Sequence, residues 1–275
     1  MPKSHKSTSK IISPIIEQTG PTVNKHLKIC CFLRPSRYNL DLRGEYMKNL
    51  RINGNQLKLF ALITMTVDHI GVQLFPHLLI LRIIGRLSMP VFAYMIAEGC
   101  RYTRNRYKHI LLTSALGLLC QIVYFITTGS LYLNILFTFS LSIALIYAFE
   151  NAIARRTFAA YLTAVSSLLS VSFLCQVLPI LLSQTDFQID YGFTGILLPV
   201  LIYFGKNRKQ ALFLSAFGQI LMCLALTGIQ WYCLLSLIPI ALYDGTRGKA
   251  KLKYLFYIYY PAHLAALHGI SLLLR

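Results

Sequence analysis

Acidic side chains are scarce in this sequence. Of 275 residues only 9 are Asp or Glu, and charged residues of either sign make up 13%. A soluble chain of this length needs far more charge to coat its surface, so a soluble globular class is excluded. Paired cysteines are missing too: Cys30, Cys31, Cys100, Cys120, Cys175, Cys223 and Cys233 form no CxxC pair and no Cys/His spacing suited to zinc. No metal is therefore expected, and most of these thiols read as small apolar packing residues. Cys30 and Cys31, in a basic stretch, are also candidates for acylation. Internal repeats of the kind found in many secondary transporters are absent from the sequence.

What is present in excess is positive charge and apolar length. The 27 Lys and Arg give a net charge of +18, which taken alone suggests a nucleic-acid partner. Their distribution excludes one. They lie in the N-terminal stretch and in alternate short loops, the positive-inside pattern of a membrane protein and not a basic face. Hydrophobic residues make up 56% of the chain, and runs of about 20 mainly apolar residues, enough to span a ~30 Å hydrocarbon core, recur along it.

The expected fold class is an all-α polytopic membrane bundle of about nine spans, with a range of eight to ten. The candidates are 57–75, 78–99, 108–128, 131–151, 157–182, 190–204, 209–228, 230–243 and 254–273. The sixth and eighth are short, and Pro90 and Pro261 interrupt two others. The basic loops are Arg101 to Lys108, Arg155-Arg156, Lys206 to Lys209 and Arg247 to Lys253. The alternate loops, Pro76-His77, Thr127 to Ser130, Ser183 to Asp190 and Thr227 to Gln230, hold no Lys or Arg. Nine spans place every basic loop in the cytoplasm, with the N-terminus inside and Arg275 outside.

Residues 1–46 are polar, rich in Ser, Thr, Pro and Lys, and lack helical periodicity. They read either as a disordered basic tail or as untranslated leader, since Arg43-Gly44-Glu45 before Met47 is encodable by a purine-rich ribosome-recruiting run. The multispanning domain is then 47–275. The first long apolar run comes late and is followed by further spans, so it reads as a span and not as a cleaved signal.

Ionisable groups inside spans carry the chemistry, because each costs at least ~2.5–3.5 kcal/mol to insert. At ~1.5 Å per residue, His69 lies ~18 Å from the cytoplasmic face and His263 ~15 Å from Lys253, with Arg82 and Arg86 at ~15–21 Å. Asp68, His69, Arg86 and His263 thus form one layer if their helices are neighbours. Asp68 is expected to pair with Arg82 or Arg86, a structural role that competes with a catalytic one. His69 is turned about 100° from Asp68 and faces a different neighbour. A lone histidine needs only a backbone carbonyl, but two at one depth raise a functional reading.

Glu98 and Arg101 share a helix face, and Arg104 continues the stripe. These residues read either as a local ion pair at a helix end or as an entrance gathering a polyanionic cofactor, since guanidinium forks suit phosphates. Asp190-Tyr191-Gly192 and Tyr243-Asp244-Gly245-Thr246-Arg247-Gly248 read as turns.

The ordered set Thr64 to Gly71, Leu81 to Pro90, Ala97 to Asn105, Asn134 with Phe137-Thr138, Asp190 to Gly192, Gly245 to Gly248 and Tyr260-Pro261-Ala262-His263 resembles the TraX family of bacterial integral membrane proteins, whose namesake is associated with N-acetylation of conjugative pilin. The likeness covers about Gln56 to Leu272. Asp244 stands where the family pattern has Asn, which adds negative charge beside Arg247.

The resemblance implies an acyl-CoA-dependent membrane acetyltransferase or acyltransferase of the bacterial cytoplasmic membrane, with the bilayer and acetyl-CoA or another acyl-CoA as partners. The acceptor is an amine or hydroxyl, on a pilin, secreted peptide or glycan. In that reading Arg101, Arg104 and Arg247 hold phosphates, Glu98 orients Arg101, and Arg86 with Asp68 braces the layer. His69 is a general base, and His263 polarises the thioester or protonates the thiolate; alternatively one histidine carries the acyl group. The competing readings are a proton-coupled transporter or exporter using the same residues, and a non-enzymatic assembly scaffold.

Overall fold

A computed structural model describes residues 51–249 and 253–274, with only the backbone given for 253–257. The expectations for residues 1–46, including Cys30 and Cys31, lie outside the described residues.

Short polar caps start the helices. Asn53 accepts from the backbone N–H groups of Asn55 and Gln56 while the Gln56 side chain returns to the Asn53 N–H, closing a capping box ahead of α1 (Gly54–Gln73). Asn105 caps α4 (Arg106–Thr128), Asn134 caps α5 (Ile135–Arg155), Thr157 caps α6 (Phe158–Ser172) and Asn207 caps α9 (Arg208–Leu226). Each supplies an acceptor to one of the orphan N–H groups that a helix start leaves.

Prolines shape the rods between the caps. The second rod is broken into α2 (Leu79–Gly85) and α3 (Ser88–Tyr102). Pro90 has no N–H to return to Arg86, and its ring crowds the Arg86 carbonyl, so the helix restarts there. The Ser88 hydroxyl donates to the Gly85 carbonyl at 2.8 Å across the break. A π turn, Phe173–Val177, joins α6 to α7 (Leu178–Leu181) just ahead of Pro179. Pro261, by contrast, lies inside an unbroken α11 (Lys253–Leu273), so the expected interruption there is not seen.

The two shorter segments are also short in the structure. One is α8 (Gly192–Tyr203); the other is a 3-10 stretch, Gly228–Ser236, continued by α10 (Leu237–Leu242). Among the described residues the architecture is all-helical, and the helical segments coincide within a few residues with the apolar runs of the sequence. Five are long and apolar enough to cross a membrane.

The described residues all belong to one compact unit. Within it α3 is central, in contact with α1, α5 and α8, while α11 is held against α1. Small residues allow the close crossings: Ala61, Ala93 and Ala97 are wholly buried with Leu57, Tyr94 and Leu198. The outer faces carry the large apolar side chains, such as Leu118, Leu119 and Ile122 on α4 and Phe158, Leu162 and Leu169 on α6. Apolar groups outside and polar ones inside suit lipid as the surrounding medium.

Two backbone bridges tie the loops together. Ile52 pairs with Tyr243 at the rim that carries the basic loops, and Leu133 pairs with Ile189 at the opposite rim. Both Asp190-Tyr191-Gly192 and the Tyr243–Gly248 segment are turns, the latter held by Thr246 N–H on Asp244 Oδ1 at 2.7 Å and by Gly54 N–H on the Thr246 carbonyl at 2.7 Å.

Candidate active site

The two histidines meet. His69, in the second half of α1, and His263, at the middle of α11, place Nδ1 and Nε2 2.8 Å apart, with ring planes 12° from parallel. The second His263 nitrogen, Nδ1, lies 2.8 Å from the Tyr259 carbonyl. A carbonyl only accepts, so the hydrogen-bond network assigns the proton of a neutral His263 to Nδ1 and makes Nε2 an acceptor. His69 must then donate from Nδ1, which leaves His69 Nε2 with a free lone pair. The chain of hydrogen bonds thus fixes one tautomer and presents one basic nitrogen.

The junction of α1 and α11 is pinned beside the pair. Thr66 donates to the Leu62 carbonyl at 2.9 Å, so its oxygen accepts from the Tyr259 hydroxyl at 2.6 Å. The Tyr259 ring lies 5.1 Å from the His263 ring at 14°, and Tyr260 meets it edge-on at 5.6 Å. Sequence reasoning missed Thr66 and Tyr259, although their spacing was a signal. Thr66 is three residues before His69 and Tyr259 four before His263, which places each on its histidine's face.

Asp68 faces the other way, toward α2. Its carboxylate accepts from Arg82 at 3.2 Å and from Arg86 at 3.0 and 3.1 Å, so it serves both guanidiniums and not one of them. Arg86 also donates to Gln230 at 3.4 Å and lies over the Tyr191 ring. This packing makes Arg86 a brace between α1 and α2, and it is not among the residues that line the bundle's large cavity.

A cavity of about 1010 Å³ extends from the basic rim to Met65 and Tyr260, and neither His69 nor His263 is among the residues that line it. Asn55, Lys58, Asp244, Thr246 and Arg247 line it at the basic rim; Glu98, Tyr102 and His109 form its wall; Leu62, Met65, Phe92, Ile135 and Tyr260 line its apolar depth. Met65 is one helical turn below His69, so the deep end approaches the base.

Of the three arginines expected to hold phosphates, Arg247 lines the cavity. Arg101 does not. It pairs with Glu98 at 2.5 Å and donates to the carbonyls of Ile202, Tyr203 and Gly205 at 2.8–3.0 Å, with a side chain only 4% exposed. It closes the C-terminal end of α8, where unsatisfied carbonyls and the helix dipole favour a cation. Glu98 orients Arg101 as expected, but for that purpose. Arg104 is exposed in the turn before α4 and does not line the cavity. Among the described residues no cluster of three metal-ligating side chains is found.

A helical bundle clothed in apolar side chains, with an ion cluster and a hydrogen-bonded histidine pair inside, defines a multi-pass membrane protein. The particular family follows from comparison. The chain belongs to the TraX family, a membrane protein family associated with pilin acetylation, whose description, TraX protein, matches residues 53–271. It is 32% identical over 165 residues to an uncharacterized protein of Rickettsia prowazekii (strain Madrid E), a match covering 58% of this chain and 59% of that protein. It is 23% identical over 263 residues to a probable fimbrial assembly protein FimC, serogroup H1, of Dichelobacter nodosus, covering 83% of this chain and 99% of that one. No solved structure matches it.

Proposed function

We propose that this protein is a pilus-associated acyltransferase of the bacterial cytoplasmic membrane, moving an acetyl or other acyl group from cytosolic acyl-CoA to an amine or hydroxyl acceptor. One observation carries the reading: the relay that leaves His69 Nε2 with a free lone pair, one helical turn beyond Met65 at the apolar end of a cavity whose rim carries Lys58 and Arg247. The family's link to pilin acetylation and the fimbrial name of the Dichelobacter relative support a pilin amine as acceptor. The basic rim is cytoplasmic, the bundle crosses the membrane nine times, and the C-terminus lies outside.

The chemistry needs a base and a polarised carbonyl. The acceptor nitrogen attacks the thioester carbon, its proton passes to His69 Nε2, the carbon–sulfur bond breaks, and the departing thiolate recovers that proton. His263 holds His69 in the tautomer that can do this. Lys58 and Arg247 receive the phosphates, in place of Arg101 and Arg104.

The test is consumption of radiolabelled acetyl-CoA by the purified protein in lipid nanodiscs, with and without a pilin N-terminal peptide. Wild type is expected to bind and consume label, and His69→Ala to bind without turnover. A wild type that fails to bind acetyl-CoA, or a His69→Ala variant with undiminished turnover, overturns the reading and favours a transporter.

A further inference from the structure

Glu98 presents an anomaly in the cavity wall. Its Oε1 holds Arg101, but Oε2 is buried and has no hydrogen-bond partner among the described residues, and the whole residue is only 2% exposed. A buried carboxylate oxygen without a donor costs on the order of 1–3 kcal/mol or more, so a position that keeps one open calls for a donor from elsewhere. The residue lines the cavity, so the space from which a donor must come is the cavity itself.

The place along the cavity narrows the chemistry. Glu98 is one helical turn from the Tyr102 end of α3, and Lys58 is one turn from the Gly54 start of α1, so both mark the level just below the basic rim. From Lys58 to His69 is ~16 Å along α1. A ligand with phosphates at the rim and a reactive group near His69 must cross that distance as a thin chain, and the group it shows to Glu98 must donate.

We infer that Glu98 Oε2 accepts a hydrogen bond from an amide N–H of the pantetheine arm, making Glu98 a specificity residue for the donor substrate. The inference rests on the acyl-CoA reading above and deepens it. Glu98 does not touch the reacting atoms; it selects an N–H donor one turn inside the mouth, and Arg101 fixes its orientation from behind.

The experiment uses paired ligands. Affinities of the purified protein in nanodiscs are measured for CoA and for a CoA analogue in which an ester oxygen replaces the pantetheine amide N–H nearest the phosphates. Wild type is expected to prefer the amide by about 10- to 100-fold, the worth of one hydrogen bond to a charged group. In Glu98→Gln the amide oxygen stays on Arg101 and the NH₂ turns to the cavity, replacing an acceptor by a donor. That variant is expected to lose the preference for CoA over the ester in the protein that remains folded, and to melt below wild type because Arg101 loses its buried counter-ion.

A purely structural Glu98 weakens both ligands alike, and that result overturns the inference. So does a wild type that binds CoA without discriminating the ester. Failure of wild type to bind CoA at all is a different outcome, since it removes the acyl-CoA reading itself.

Discussion

Asp68 and Arg86 share two hydrogen bonds, 3.0 and 3.1 Å long, between α1 and the break that separates α2 from α3, and each side chain is 13% exposed. The same carboxylate holds Arg82. Removing Asp68 therefore strands Arg86 in the interior, where breaking a buried pair costs about 3–5 kcal/mol, and leaves the more exposed Arg82 without this partner. Asp68→Ala is expected to lower the melting temperature in detergent sharply, and Asp68→Asn less, because an acceptor oxygen remains. Unchanged melting in Asp68→Ala refutes the brace.

Gly85 makes that contact possible. A Cβ there falls 2.2 Å from Asp68 Cβ and Oδ1, and one at Gly71 falls 2.8 Å from Leu81 Cβ. Gly85→Ala must push α1 and α2 apart and is expected to destabilise by about 1–3 kcal/mol. Gly269→Ala, with nothing within 4 Å, is the control. It is expected to be neutral or to stabilise by about 0.5–1 kcal/mol, the helical advantage of Ala over Gly. Equal melting of the two variants contradicts the close approach.

The layer of Asp68, His69, Arg86 and His263 was legible because a helix converts residue number into depth and the basic loops supply an origin. Which helices touch was not. Arg101 shows why: its spacing from Glu98 is visible in the sequence, but the α8 carbonyls that occupy it lie about a hundred positions away and carry no side-chain signature. Asp68 was assigned one arginine and holds two, since α2 turns both Arg82 and Arg86 toward α1. Pro90 announced its break; Pro261 did not make one, and proline alone does not tell a kink from a continuous helix.

Thr66 and Tyr259 join α1 to α11 one turn from the histidines. Tyr259→Phe removes one hydrogen bond, worth about 1 kcal/mol. The expected signature is a fall in kcat for acetyl transfer with the KM for acetyl-CoA unchanged, since the cavity mouth is untouched. Thr66→Val is expected to match it. The double variant is expected to do no further harm, because both remove the same contact. Additive losses show that the two residues act separately.

The relay from Tyr259 through His263 to His69 has a direction, and direction separates two substitutions that otherwise look alike. His69→Gln removes the basic nitrogen itself and is expected to lower kcat by about 10²–10⁴-fold, the usual contribution of a general base. His263→Gln keeps a carbonyl oxygen that accepts from His69 Nδ1, so the reactive tautomer survives and the loss is expected to be about 10-fold. His263→Leu offers no acceptor and frees the ring to reorient, which places it between the two. If the relay ran the other way, with His263 presenting the base, the order of the two glutamine variants would invert, and single-turnover rates measured at saturating acetyl-CoA distinguish the two orders without interference from binding.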